Sequence, residues 1–221
     1  RMYCCSWIQM FTSASYQRQV EEAARVLSQG GVVAFPTDTV YGLGADIHDP
    51  SAIDRVYEIK GRPKDAPLPV LIADISRITD VVDNPEPFAL HLAELAWPGG
   101  VTLVLPTNLP LPSAVLQDSC VGVRVPDDPF CLRLLNTFGG PITGTSANRS
   151  GSPPAINAKQ VKAQLGDAVD YILDIGEAQQ KKPSTVVRIR GETVEVLREG
   201  VVTATAIMDT WRDFAARSHA T

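Results

Sequence analysis

The 221-residue sequence is poor in the residue types that most often carry chemistry on their own. Its three histidines, His48, His91 and His219, lie far apart and outside any His-Glu-x-x-His arrangement. A histidine-bound catalytic metal is therefore disfavoured. The four cysteines, Cys4, Cys5, Cys120 and Cys131, include no Cys-x-x-Cys pair and read as unliganded thiols of a reducing compartment. No apolar run approaches the roughly 20 residues that a membrane span needs. The first residues lack the long apolar core of a secretion signal, so the cytoplasm is the expected location. Basic residues are outnumbered, 20 against 25, for a net charge of −5. That balance excludes a surface given over wholly to nucleic acid, DNA included. Any polyanion site must be a local basic pocket on an acidic body.

Two common nucleotide signatures are missing as well. There is no Gly-x-x-x-x-Gly-Lys-Ser/Thr, and no Gly-x-Gly-x-x-Gly follows the first strand. Gly144-Thr145-Ser146-Ala147-Asn148 has the look of a nucleophile elbow, but Asn148 stands where the second glycine belongs. The only histidine after that serine is His219. A serine hydrolase is disfavoured.

What is present is an ordinary globular composition, 44% hydrophobic and 20% charged, in which helix and strand signals alternate. Val20, Ala23, Ala24 and Leu27 recur at helical spacing until Gly30-Gly31, and Val32–Phe35 reads as a buried strand. Ser51 with Asp54 suggests a capping box for a helix ending at Lys60, which Gly61 and Pro63 break. Strands are expected at 68–72, 101–105, 121–125 and 142–145, and helices at 88–97, 129–138, 158–165 and 206–216. Val186–Ile189 and Val194–Leu197 flank Arg190-Gly191-Glu192 as a hairpin. The fold class is α/β: a single domain with a twisted mixed sheet flanked by helices.

The candidate chemistry begins at Lys60-Gly61-Arg62-Pro63-Lys64, three cations around a Gly-Pro bend. Lys60, Arg62 and Lys64 are candidate phosphate clamps, unless the segment is a solvated loop and Lys60 merely complements its helix dipole. Ser146 and Asn148 offer small hydrogen-bonding groups at a strand end. Arg124 sits among valines in Val121–Val125; it either pairs with Asp127 or Asp128 or grips a substrate carboxylate through its fork. Ser184 and Arg198 are further ligand contacts, or a turn cap and a hairpin-end charge.

The segments FPTDTVYGLG, KGRPKDAPLPVLI, WPGGVTLVLP, VGVRVP, ITGTSANRSG, KPSTVVRI and VLREG, in this order, resemble the YrdC-like threonylcarbamoyl-AMP synthases. The likeness runs from about Gly31 to Gly200. It implies a YrdC-like fold with a basic concave site. The implied reaction joins L-threonine, bicarbonate or CO2, and ATP into threonylcarbamoyl-adenylate with loss of pyrophosphate. In the family this product feeds t6A modification of adenosine 37 in tRNA. The resemblance places catalytic and nucleotide contacts on Lys60, Arg62, Ser146 and Asn148, with Arg198 also at the nucleotide. Threonine contacts fall on Thr39, Arg124 and Ser184, with Thr37 nearby. Mg²⁺ is expected to arrive with the nucleotide, without a dedicated protein site; tRNA or proteins of the t6A pathway are possible partners. Leu71 and Cys120 depart from a histidine and a threonine found in some members, and Lys182-Pro183 departs from the common Glu-Ser-Thr block. Residues 16–202 are expected to form the catalytic domain, flanked by extensions at 1–15 and 203–221, with too few residues after Gly200 for the further domain some members carry. The rival expectation is a non-catalytic RNA-binding module of the same fold.

Overall fold

The computed structural model describes residues 14–180 and 182–218. Cys4, Cys5, His219 and most of the 1–15 extension lie outside the described residues.

Helix α1 (Ala14–Ser28) buries the stripe expected of it, Val20, Ala23, Ala24 and Leu27. It leads into β1 (Val33–Phe35), and the chain turns back as β2 (Gly42–Gly44), a strand too glycine-rich to be read from pattern. Helix α2 (Pro50–Lys60) starts two residues earlier than the Ser51 capping box implied. The cap is Asp49, whose carboxylate accepts the N–H groups of Ser51 and Ala52, with Pro50 in the first turn. This is the more favourable start, because an acid and a proline both suit the helix N-terminus. Gly61 ends α2 in the left-handed conformation, φ 58°, where a Cβ would be strained.

Next come β3 (Val70–Leu71), a 3₁₀ turn over Ile75–Asp80, α3 (Pro87–Ala96), β4 (Val101–Pro106), β5 (Leu116–Gln117) and β6 (Cys120–Arg124). Helix α4 (Pro129–Phe138) is followed by β7 (Ile142–Thr143), β8 (Thr145–Ser146), α5 (Ala158–Leu165) and β9 (Tyr171–Ile172). The hairpin β10 (Thr185–Arg190) and β11 (Thr193–Arg198) turns at Gly191 as expected, and α6 (Ala204–Ser218) follows.

The expected mixed sheet is two sheets. One runs β8-β2-β1-β9; the other runs β11-β10-β4-β6-β3-β7, with β5 beside β6. Both mix parallel and antiparallel pairs. The expected single strand at 142–145 breaks at Gly144, because β7 pairs with β3 in one sheet and β8 with β2 in the other. At this crossing a Cβ on Gly144 would lie 2.3 Å from Leu71 Cγ, so only glycine lets the strand pass. The seam between the sheets opens where β3 and β6 end, and there Leu71 and Arg124 are register partners.

Between the sheets and the helices lie buried Tyr41, Leu43, Ile53, Leu68, Leu103 and Leu105. A second cluster joins α1 and α4 across Phe35, Leu134 and Leu135. Burying each such side chain contributes roughly 1.5–3 kcal/mol, so the sheet ends that carry polar groups rest on a well-anchored floor.

The tail is tied to this frame. Thr185 Oγ1 donates to Val202 O at 2.5 Å and accepts the N–H groups of Gly200 and Val202, each at 3.0 Å. Beyond it α6 packs on α3, Trp211 meeting Phe88 edge-on at 4.7 Å and Phe214 lying 5.2 Å from His91.

Candidate active site

The sheet seam opens into a cavity of about 600 Å³. Four arginines, Arg62, Arg124, Arg188 and Arg198, reach its walls, against one carboxylate, Asp65, among the described lining residues. The local basic pocket that the acidic composition required is present.

Strand alternation builds one wall. Ser184, directly before β10, and Val186 and Arg188 on it follow one another at intervals of two and all line the cavity, because residues i, i+2 and i+4 of an extended chain share a face. Arg198 is the register partner of Val186 on β11 and joins them. Its guanidinium donates to Ser184 O at 2.9 Å and to Ser184 Oγ at 3.3 Å. Ser184 Oγ also lies 2.9 Å from Thr102 Oγ1 on β4. Burial first, then the charges of Arg124 and Arg62, lower the pKa of Arg198. Three guanidiniums thus repel one another around one opening, a field that favours an anion between them.

The opposite wall is the loop after β1 together with the end of β6. Thr37 Oγ1 donates to Val40 O at 2.6 Å and lies 2.9 Å from Thr39 Oγ1. A hydroxyl has one proton, so Thr39 is the donor in that pair and Thr37 accepts. The oxygen of Thr39 in turn accepts from Arg124 Nη1 at 3.0 Å. Arg124 Nε donates to Gly99 O at 2.7 Å, and Nη2 is bonded to Asp38 Oδ1. The carboxylate partner of Arg124 is therefore neither Asp127 nor Asp128, as the short-range reading had it. Asp128 instead caps α4, accepting from the backbone of Phe130 and Cys131, and burial raises its carboxyl to about 6.

The third wall follows α2. Arg62 Nη2 donates to Pro67 O at 3.1 Å, and its buried Nε has no hydrogen-bond partner among the described residues. Lys60 does not reach the cavity lining. Only 3% exposed, its ammonium turns into the Ser146–Asn148 loop. It donates to Ser146 O, to Asn148 O at 2.9 Å and to Asn148 Oδ1 at 3.3 Å. All three of its protons are committed. Asn148 is likewise inside the loop, accepting from Ser146 Oγ at 2.5 Å and donating to Arg149 O and Ser152 O. Ser146 itself lines the cavity. Burial, followed by the charge of Arg62, pulls the Lys60 ammonium down to about 8. Lys64 points elsewhere, to an exposed pair with Asp54 at 2.6 Å.

The structure thus gathers Thr37, Thr39, Arg62, Arg124, Ser146, Ser184 and Arg198 on one cavity. It sets Lys60 and Asn148 behind the wall as the frame of Ser146 and sends Lys64 away. Sequence reasoning missed Asp38, Asp65, Thr102 and Arg188. Alternation along Ser184-x-Val186-x-Arg188 was the signal available for the last. The free thiols Cys120 and Cys131 are buried, Cys120 on the cavity wall and Cys131 in the core. Among the described residues no cluster of His, Cys, Asp or Glu could hold a metal, and no helix is long and apolar enough to cross a membrane.

Comparison with known proteins gives consistent findings. Threonylcarbamoyl-AMP synthase of Bacillus subtilis is 40% identical over 189 residues, which are 84% of this chain and 54% of the relative. A Mycobacterium tuberculosis protein described as a presumed synthase of the same name is 38% identical, over 87% of this chain and 88% of its own length. The crystal structure of Pyrococcus abyssi Sua5 complexed with L-threonine superposes with a TM-score of 0.82 at 35% identity, over 86% of this chain and 56% of that one. The chain therefore spans about half the length of the Bacillus and Pyrococcus proteins. The Sua5/YciO/YrdC family model, described as "Telomere recombination", matches residues 25–200, and the chain belongs to that family.

Proposed function

We propose that this chain is a threonylcarbamoyl-AMP synthase, making threonylcarbamoyl-adenylate from L-threonine, bicarbonate or CO2, and ATP. The observation that carries the reading is the convergence of Arg62, Arg124 and Arg198, with the hydroxyls of Thr39, Ser146 and Ser184, on one cavity. The L-threonine complex of the Pyrococcus relative supports the amino-acid half.

Arg124 has five N–H groups, three of them committed to Gly99, Thr39 and Asp38. The remaining two are free for the threonine carboxylate, the pairing an arginine fork makes best. Thr39 or Ser184 takes the hydroxyl. The threonine amine, once its ammonium has lost a proton to solvent, attacks CO2, and a second proton leaves the nitrogen for solvent as the carbamate forms. A carbamate oxygen then attacks the α-phosphorus, and the bond to pyrophosphate breaks. Arg62 and Arg198 stabilise charge on the phosphate oxygens. Lys60 and Asn148 act by shaping the loop that presents Ser146. Catalysis here is positioning and charge stabilisation, with no covalent enzyme intermediate. Mg²⁺ travels as part of the substrate, held by phosphate oxygens and water.

The same reading assigns catalysis to residues 16–202, with extensions at 1–15 and 203–221, places the enzyme in the cytoplasm, and sends its product to t6A modification of tRNA. The test is pyrophosphate release with ATP, bicarbonate and each amino acid in turn. Turnover confined to threonine supports it. Salt-sensitive tRNA binding without turnover would replace it with the RNA-binding module.

A further inference from the structure

Asp38 touches no substrate in the reading above, yet it is bonded to the arginine assigned there to the amino-acid carboxylate. We propose that Asp38 is the positioning residue for amino-acid recognition, acting through Arg124; this rests on the proposed role of Arg124.

Arg124 and Asp38 are 6% and 5% exposed, so their contact is shielded from solvent and salt. Asp38 Oδ1 receives both Arg124 Nη2 and the Asp127 backbone N–H, the latter at 3.1 Å. The backbone of Asp38 is pinned too, its carbonyl accepting the Gln180 N–H at 2.8 Å. The carboxylate is therefore held from two sides, and it fixes the guanidinium from behind while Gly99 and Thr39 fix two other edges. With three edges set, the guanidinium plane has no freedom left, and its two uncommitted N–H groups keep one direction. A neutral amide at position 38 would offer one oxygen without the charge and present an NH₂ group beside the cation. The guanidinium would then lose a fixed edge, and the carboxylate of the amino acid would itself have to hold it in place. Binding energy spent on ordering a clamp is not available for affinity. Among the described residues, no hydrogen bond or ion pair of Arg62, Arg198 or Ser146 involves Asp38.

The experiment is steady-state pyrophosphate release by Asp38→Asn, varying threonine and ATP separately, with folding followed by circular dichroism. The expected result is a KM for threonine raised at least about tenfold, with the KM for ATP within about twofold of wild type. In the double variant Asp38→Asn/Arg124→Gln, threonine KM should be no higher than in Arg124→Gln alone, because the two act as one unit. A folded Asp38→Asn with unchanged threonine KM overturns the proposal. So does an equal rise in both KM values, which marks a general structural role. If Asp38→Asn does not fold, Asp38→Glu decides: the charge is kept but displaced by one methylene, and an unchanged threonine KM again overturns it. Arg124→Gln separates the two levels. If that variant alone leaves threonine KM unchanged, the role of Arg124 fails, and the link to Asp38 fails with it for that reason. A wild type without threonine-dependent turnover removes the parent reading instead.

Discussion

Lys60 and Arg124 are both buried cations beside the same cavity, and the chain neutralises them in different ways. Arg124 faces a carboxylate, Asp38. Lys60 faces only carbonyl and amide oxygens of the Ser146–Asn148 loop, and no carboxylate among the described residues pairs with it. A guanidinium cannot lose its proton in any working range and needs a full counter-charge when buried. An ammonium can be held by dipoles, and its proton becomes labile as burial deepens. One side of the cavity is thus a permanent ionic clamp. The other is a frame whose charge depends on pH.

The largest effect is expected at the clamp. Arg124→Ala leaves Asp38 buried without its partner, and removing one member of such a pair destabilises by about 3–5 kcal/mol. Threonine KM should also rise, on the order of 100-fold, for the loss of a charged hydrogen-bond pair. Urea unfolding and separate substrate titrations read the two effects. A stable variant with normal threonine use would erase the contrast drawn here.

Arg62→Ala should be nearly silent in stability, within about 1 kcal/mol, because Pro67 O is the one hydrogen-bond partner of its side chain among the described residues. Pyrophosphate release should nevertheless fall on the order of 100-fold, as when a preorganised donor to a developing charge is removed. Full activity would strike Arg62 from the phosphate site.

The frame is tested by pH. The Lys60 pKa of about 8 is depressed from 10.5. Between those values the unfolded chain binds more protons than the folded one, so stability rises with pH through that window. From pH 7.5 to 9.5 the Lys60 contribution should grow by about 2 kcal/mol, at 1.36 kcal/mol per unit. The difference in unfolding free energy between wild type and Lys60→Met isolates it. A difference that does not change with pH would mean the ammonium keeps its proton as firmly as Arg124 does.

The smallest effect belongs to Lys64→Ala. Its pair with Asp54 is exposed, so stability should change by less than about 0.5 kcal/mol. Turnover should be unaltered; a large loss would return Lys64 to the phosphate site.

Several polar members of the cavity wall were legible in local patterns, while Thr37 and Thr39 came only from the family resemblance. Arg124 alternates with valines, Ser184 directly precedes a strand, and Arg198 ends one. What a side chain does once it arrives was less legible, because its partners lie far along the chain. Asp38 is 86 residues from Arg124, while Asp127 and Asp128 follow it by three and four residues and were the natural short-range choice. Lys60 and Lys64 read alike as loop cations, yet one turns into a loop 86 to 88 residues on and the other back to Asp54. The fold shows the same division. Long periodic helices were readable, whereas β2 and β9, of three and two residues, exist through their pairing with β1. The break at Gly144 is equally non-local, set by Leu71 on a neighbouring strand.

The Thr185 hydroxyl ties the cavity wall to the last helix, one oxygen holding both ends of the Gly200–Val202 turn next to Ser184. Trp211, farther along that helix, rests against Phe88, so the strand that carries one cavity wall and the helix under the other end of the sheet share a single short splice of chain.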